Sequence, residues 1–266
     1  MPTVTLIMID GLRPDAIELA DTPHIHSLMQ HGAFTLTAQS VMPSITLPCH
    51  TSIFYSIPPA RHGITTNTWS PMARPIPGIV EQAKSTGKTC AFFYSWEPLR
   101  DMSQPENLML SYYRLSDPYD LDSDDPILAA VLDFRSRDHV DFVFLYFSTT
   151  DIAGHKFGWM SDGYLKQVEH VDMLLGHYLA ILDEEDSVVL QSDHGGHERS
   201  HGTESREDMT IPWLAMGKNI RHNHAIQSAV TLLDTAPTLA RMLDIRPHPA
   251  WEGRCVDDIF GSDMTD

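Results

Sequence analysis

Short apolar runs alternate with longer amphipathic ones along most of the chain. Residues 3–9 (TVTLIMI), 88–94 (KTCAFFY), 141–148 (DFVFLYFS), 187–192 (SVVLQS) and 211–216 (IPWLAM) are rich in β-branched or aromatic side chains and read as buried strands. Residues 22–32 (TPHIHSLMQHG) open on Thr, place Pro at the first helical position and close on Gly, the punctuation of a helix. Similar helical patterns cover 76–86, 126–135, 163–183 and 234–243. The alternation predicts an α/β fold with a mainly parallel central sheet covered by helices on both faces.

Residues 95–126 interrupt this rhythm. They are polar, proline-containing and acidic, with only 108–113 (LMLSYY) looking ordered, so a surface excursion or small cap beside the site is expected there. There is no internal repeat or long low-complexity tract. At 266 residues the chain is expected to form one domain, 1–266, closed by a helix at 232–243 and the segment 251–261.

Charge narrows the function classes. Lys and Arg number 18 against 36 Asp and Glu, a formal charge of −18, which argues against binding a nucleic-acid polymer. Acids gathered around divalent cations would be partly neutralised by them. Cys49, Cys90 and Cys255 lie far apart and form no CxxC pair, so neither a disulfide framework nor a thiolate zinc site follows. The first apolar run lacks a basic leader and is interrupted by Asp10, and no segment approaches the roughly 20 apolar residues of a membrane helix. A cytoplasmic location is the expectation. Oligomeric state is not written in the pattern.

The candidate chemistry sits where strands end. Asp10 follows the first strand, Asp151 follows "FVFLYFSTT", and Asp193 follows "VVLQS". In an open parallel sheet the ligand crevice lies beyond the carboxyl ends of the strands, so the three acids are expected to converge there. Each could instead cap a loop or helix. Imidazoles accompany two of them: His155 after Asp151, and His194 and His201 after Asp193. Mixed carboxylate and imidazole suit zinc, or less selectively manganese. His24, His26, His31, His139, His170, His177, His222, His224 and His248 read as structural or exposed. Residues 42–52 (MPSITLPCHTS) offer Ser44, Thr46, Cys49, Thr51 and Ser52 where a loop leads into a helix. A hydroxyl there either meets an anionic oxygen or merely caps the helix, and the segment alone leaves both readings open.

In their order along residues 4–217, "DGLRPD" (10–15), "TPHIHSLMQHG" (22–32), "PSITLPCH" (43–50), "HGITTN" (62–67), "DIAGH" (151–155) and "SDHGG" with its later "HG" (192–202) resemble the nucleotide pyrophosphatase/phosphodiesterase branch of the alkaline phosphatase superfamily. The resemblance implies an alkaline-phosphatase-like fold and a site holding two divalent cations, zinc or else manganese. It implies that Thr46 is the nucleophile, that Asp10, Asp193 and His194 hold the ion beside it, and that Asp151, His155 and His201 hold the second. Asn67 would meet a non-bridging phosphoryl oxygen. His201 is preferred to His197 as the last ligand because "HGTESREDMTIPW" continues as in short superfamily members.

The implied reaction is hydrolysis of phosphodiester or pyrophosphate bonds in a small phosphoester, through a phosphothreonine. Two cations about 4 Å apart stabilise the attacking and leaving oxygens of such a displacement, and the N–H after Thr46 together with Asn67 would meet the equatorial oxygens. Two features depart from relatives. Leu47 follows Thr46 where nucleotide-specific members place an aromatic, and the sulfatase motif C/S-x-P-x-R is absent. The rival readings are a phosphonate hydrolase of the phosphonoacetate type and a non-catalytic metal-binding relative. Trp69, Tyr112, Tyr113 and Trp159 are candidates for pocket walls, although core packing is the simpler role for each.

Overall fold

The computed structural model describes residues 2–115 and 119–261; positions 116–118 of the expected excursion, and 262–266, lie outside them. Eight strands form one sheet: β1 (Val4–Ile9), β2 (Ala33–Gln39), β3 (Cys90–Tyr94), β4 (Leu110–Tyr113), β5 (Phe142–Phe147), β6 (Ser187–Gln191), β7 (Thr210–Gly217) and β8 (His224–Ala225). Their spatial order is β4-β3-β5-β1-β6-β7-β2-β8. Only β7 opposes its neighbours, pairing antiparallel with both β6 and β2. The central run β3-β5-β1-β6 is parallel throughout, so the carboxyl ends of four strands open side by side on one edge.

Helices α1 (Pro14–Leu19), α2 (Pro23–His31), α3 (Thr46–Tyr55), α4 (Pro59–His62), α5 (Ile79–Ser85), α6 (Asp125–Arg135), α7 (Thr149–Phe157), α8 (Asp162–Leu179), α9 (Arg206–Met209) and α10 (Thr235–Met242) connect the strands. Successive side chains of a strand point to opposite faces. Along β5, Phe142, Phe144 and Tyr146 join a core with Phe54 of α3, Val80 of α5 and Leu239 of α10. Val143, Leu145 and Phe147 join a second core with Ile17 of α1, Leu28 of α2, Val131 of α6 and Val171 of α8. Strands with this double burial must be apolar at every position, which is why β1 and β5 are continuous hydrophobic runs.

The five strands and the helices at 22–32, 76–86, 126–135, 163–183 and 234–243 expected from the pattern are present within a few residues of those bounds. Strand β2 was not expected. Its sequence AFTLTAQ alternates buried with more exposed positions and carries two threonines, so its apolar signal is diluted, and pairing with β7 supplies what its own pattern lacks. The ordered part of the 95–126 excursion expected at 108–113 is strand β4, which pairs in parallel with β3 at the sheet margin, and a helical turn at Glu97–Met102 is ordered as well. Among the described residues no helix is long and apolar enough to cross a membrane.

Gly32 joins α2 to β2 where a Cβ would lie 2.2 Å from the Ala215 carbonyl oxygen of β7. Backbone cannot retreat from that contact as a flexible side chain could. Gly32→Ala is therefore expected to cost about 1–3 kcal/mol of unfolding free energy, read from the midpoint of urea denaturation. An unchanged midpoint would show that β2 and β7 separate freely at this point.

Candidate functional site

Parallel strands deliver the acids. Asp10 immediately follows β1, Asp193 lies just past β6, and Asp151 stands in the first turn of α7, just past β5. One helical turn beyond Asp151 comes His155, on the same face, with Nε2 3.4 Å from Asp151 Oδ2. The convergence expected from the strand ends is thus present.

Each carboxylate of the sheet centre is held by one oxygen and free at the other. Tyr146 donates its hydroxyl to Asp10 Oδ2. The backbone N–H groups of Gly11 and His194 donate to Asp193 Oδ1 at 3.3 and 3.0 Å. Buried Asp10 Oδ1, Asp193 Oδ2 and Asp151 Oδ1 have no hydrogen-bond partner. A buried acceptor left this way is costly unless something positive fills the gap.

The imidazoles are oriented to match. Nδ1 of His194 lies 2.8 Å from the Gly195 carbonyl, Nδ1 of His155 3.0 Å from Arg199 O, and Nδ1 of His201 2.9 Å from Ser44 O. A carbonyl only accepts, so Nδ1–H donates in each ring and Nε2 is the nitrogen turned inward. His194 Nε2 is 3.4 Å from both Asp10 Oδ1 and Asp193 Oδ2, while His201 Nε2 is 3.7 Å from Asp151 Oδ1. Carboxyl oxygens without partners facing imidazole Nε2 atoms make a donor set that a divalent cation would complete, and zinc or manganese fits its chemistry.

Three groups among the described residues have ligand atoms all within 4.8 Å of one another: Asp10/Asp193/His194 and Asp151/His194/His201 at this site, and the more exposed Asp122/Asp125/His170 away from it. His194 therefore belongs to both sides, whereas the expectation placed it on one. Its ring stacks on His201 with centroids 3.8 Å apart and planes at 12°. His155 stands at the rim, about half exposed, within reach of Asp151 alone. His197 is engaged elsewhere: its Nδ1 lies 2.7 Å from the buried carboxylate of Asp208, which also takes the N–H and hydroxyl of Thr203.

Burial and like charge dominate the electrostatics. Burial raises the carboxyl of Asp10 well above its usual range, with Asp193 and Asp151 adding repulsion. Asp193 is pushed up to about 8, by burial first and then by Asp151. Burial, helped by neighbouring His194, lowers His201 to about 4. Without a counter-charge the acids are held in an unfavourable state.

Thr46 is the first residue of α3, with Oγ1 3.2 Å from His194 Nε2. Other hydroxyls of the segment turn away, Ser44 to the Thr203 carbonyl, Thr51 to the Leu47 carbonyl and Ser52 toward His62. Cys49 is buried beside Ser40. The N–H of Leu47, expected to be free, donates to Asn67 Oδ1 at 3.0 Å. That contact orients Asn67 and leaves its Nδ2 as the amide donor.

Asp10, Thr46, Asn67, Asp151, His155 and His201 line one cavity of about 410 Å³. Its remaining wall comes from Ser95, Trp96, Glu97, Pro98 and Leu115, from Tyr146 and Ser148, and from Ile152, with no Lys or Arg among these residues. Leu47 is fully buried and is not part of that wall. Trp159 is core, as the simpler reading had it, but its ring also stands edge-on to His155 and His201, 5.1 and 5.9 Å away. A Cβ on Gly154 or Gly196 would come within 2.5 and 2.2 Å of that ring. Tyr146 and Asp208 were missed because one reads as a strand residue and the other as one more surface acid; only the pairing of distant segments reveals them.

Comparisons with known proteins bear on the family and the fold. The profile of the family described as Type I phosphodiesterase / nucleotide pyrophosphatase matches residues 4–216. An uncharacterized pyrophosphatase/phosphodiesterase of Schizosaccharomyces pombe is 26% identical over 219 residues, 73% of this chain and 44% of that protein. A bis(5'-adenosyl)-triphosphatase of Mus musculus is 26% identical over 222 residues, 73% of this chain and 47% of that one. The chain thus spans less than half the length of these relatives. Among solved structures, murine ectonucleotide pyrophosphatase/phosphodiesterase 5, an inactive Thr-to-Ala variant in complex with AMP, superposes with a TM-score of 0.79 at 17% identity, covering 98% of this chain and 100% of that one.

The raised Asp193 carboxyl has a measurable consequence. Between its ordinary pKa near 3.8 and about 8 the folded metal-free protein binds more protons than the unfolded chain, so stability falls as pH rises through that window. Thermal denaturation in a chelator should show the transition temperature decreasing from pH 5 to 8, with a shallower slope in Asp193→Asn. Zinc should raise the wild-type transition most at the upper end. Equal slopes in wild type and variant would mean that Asp193 is not the strained group.

Proposed function

The chain belongs to the type I phosphodiesterase/nucleotide pyrophosphatase family, and on that premise we propose that it hydrolyses phosphodiester or pyrophosphate bonds of small molecules through a phosphothreonine on Thr46, beside two divalent cations. The observation that carries this reading is the position of the Thr46 hydroxyl 3.2 Å from an imidazole shared by two sets of acids with unpartnered buried oxygens. Asp10, Asp193, His194 and Thr46 itself would hold one ion. Asp151, His155 and His201 would hold the other. Zinc is the ion this donor set suits best, and manganese the next.

Thr46 Oγ1 attacks phosphorus, forming an O–P bond as the bond to the leaving alcohol or phosphate breaks. Water then cleaves the phosphothreonine and restores the hydroxyl. The chemistry supplied by bound cations is stabilisation of charge on the attacking and departing oxygens. Asn67, oriented through its Oδ1 by the Leu47 N–H, presents Nδ2 to a non-bridging oxygen. The apolar wall of Trp96, Pro98, Leu115 and Ile152 receives the organic part of the leaving group. Nucleotides belong in the substrate panel because a structural neighbour holds AMP, although the buried Leu47 offers no surface for a base.

A diester carries one negative charge per phosphorus, whereas phosphonoacetate carries more. A cavity walled by Glu97, Asp10 and Asp151, with no Lys or Arg among its described residues, favours the former over the phosphonate alternative. The same reading takes the whole chain as one catalytic domain with 95–126 beside the site, and keeps the cytoplasmic location, supported by the free thiols Cys49, Cys90 and Cys255.

With a chromogenic phosphodiester, Thr46→Ala is expected to lower kcat/KM by roughly a thousandfold or more, and Thr46→Ser to retain more activity than Thr46→Ala. Chelation should abolish turnover and zinc or manganese restore it. Wild-type rates in both variants would end the nucleophile assignment. Faster release of phosphate from phosphonoacetate than of alcohol from any diester would select the rival reaction.

A further inference from the structure

We propose that Asp124 is a positioning residue for the Asp151/His155/His201 side of the centre, acting through the start of α7; the proposal rests on the two-cation reading above. Asp124 lies in the acidic stretch that the sequence presents as a solvated excursion, yet it is fully buried. Its carboxylate takes four donors at the junction of β5 and α7. Oδ1 accepts from the Ser148 N–H at 2.9 Å and the Ser148 hydroxyl at 3.2 Å. Oδ2 accepts from the Thr149 N–H at 3.0 Å and the Thr149 hydroxyl at 2.6 Å.

The first N–H groups of a helix have no intrahelical acceptor, and a negative charge at that end is favoured by the helix dipole. Ser148 occupies the capping position of α7 but makes no side-chain cap bond. A carboxylate from a distant segment does the work instead, and its two oxygens fix two consecutive peptide planes. Asp151, two residues on, and His155, one turn further, inherit the orientation. Because the Ser148 hydroxyl is committed to Asp124, Ser95 is the donor in their 2.9 Å contact, which ties the end of β3 to the same point. Gln167 Nε2 closes the cluster, donating to Thr149 Oγ1 at 2.8 Å and to the Leu121 carbonyl at 2.9 Å.

The other side of the centre has side-chain holders of its own, although Asp10 also meets this junction through its backbone, its N–H donating to the Phe147 carbonyl and its carbonyl accepting from the Thr150 hydroxyl. Asp10 is held by Tyr146, and Asp193 by the N–H groups of Gly11 and His194. Loss of the Asp124 carboxylate should therefore disturb the ion of Asp151, His155 and His201 more than the other, whereas a general weakening of the fold would affect both alike. Partners behind metal ligands typically affect ion affinity by roughly ten- to a hundredfold.

The test is zinc binding to the full chain by competition with a chromophoric chelator, together with hydrogen exchange of the metal-free protein. Wild type is expected to bind two equivalents. Asp124→Asn should weaken one of them by at least about tenfold and the other by several-fold less. Combined with Asp151→Asn it should add no further loss. Amides 148–152 should exchange faster in Asp124→Asn, while Asp133→Asn, altering an exposed acid of α6 paired with Arg137, should change neither affinity. Unchanged affinities in Asp124→Asn, or equal weakening of both ions, would overturn the proposal. Should Asp124→Asn fail to fold, Thr149→Val removes one of the four donors and must show the same unequal loss. Fewer than two equivalents in wild type would sink the two-cation reading itself, and unaltered exchange at 148–152 would separately refute the role of Asp124 at the helix start.

Discussion

Asp10, Asp151 and Asp193 converge at the carboxyl edge of a parallel sheet, and no Lys or Arg is among the described residues that line the adjoining cavity. That charge constraint organises the surroundings. Every imidazole facing the acids spends its Nδ1–H on a backbone carbonyl and cannot also donate to a carboxylate through that atom. Asp10 and Asp193 are each pinned by a donor at one oxygen while the other remains open. The protein thus keeps its acids and imidazoles mutually unsatisfied, an arrangement that costs stability in the metal-free state and favours an ion that restores neutrality.

Two helix starts frame this space. Thr46 opens α3 and Asp151 lies in the first turn of α7, so both positive dipole ends face the centre. Partial positive charge at these ends partly offsets the acids and suits an approaching phosphoryl oxygen. The arrangement needs both helix starts held firmly. For α7 the Asp124 fork provides this; for α3 the Leu47 N–H is bound to Asn67, which also draws the loop carrying Asn67 over the cavity.

Much of this was legible in one dimension. Continuous apolar runs reveal doubly buried strands because each face of the sheet is covered, and an acid directly after such a run must emerge at the strand end. Asp10, Asp193 and His194 follow from that local rule. Strand β2 escaped because its alternation is diluted by threonines and its partner lies far along the chain. The excursion looked solvated because acids usually are; Asp124 is an exception only through donors presented by β5 and α7.

The sequence by itself determined the element types, the three strand-end acids and the hydroxyl-bearing segment, since these depend on periodicity and near neighbours. Tertiary structure alone decided which hydroxyl turns inward, which of His197 and His201 meets Asp151, that His194 serves both groups, and that the Leu47 N–H is occupied. Those outcomes depend on hydrogen bonds between residues far apart in sequence, whose geometry is set by how strands and helices pack.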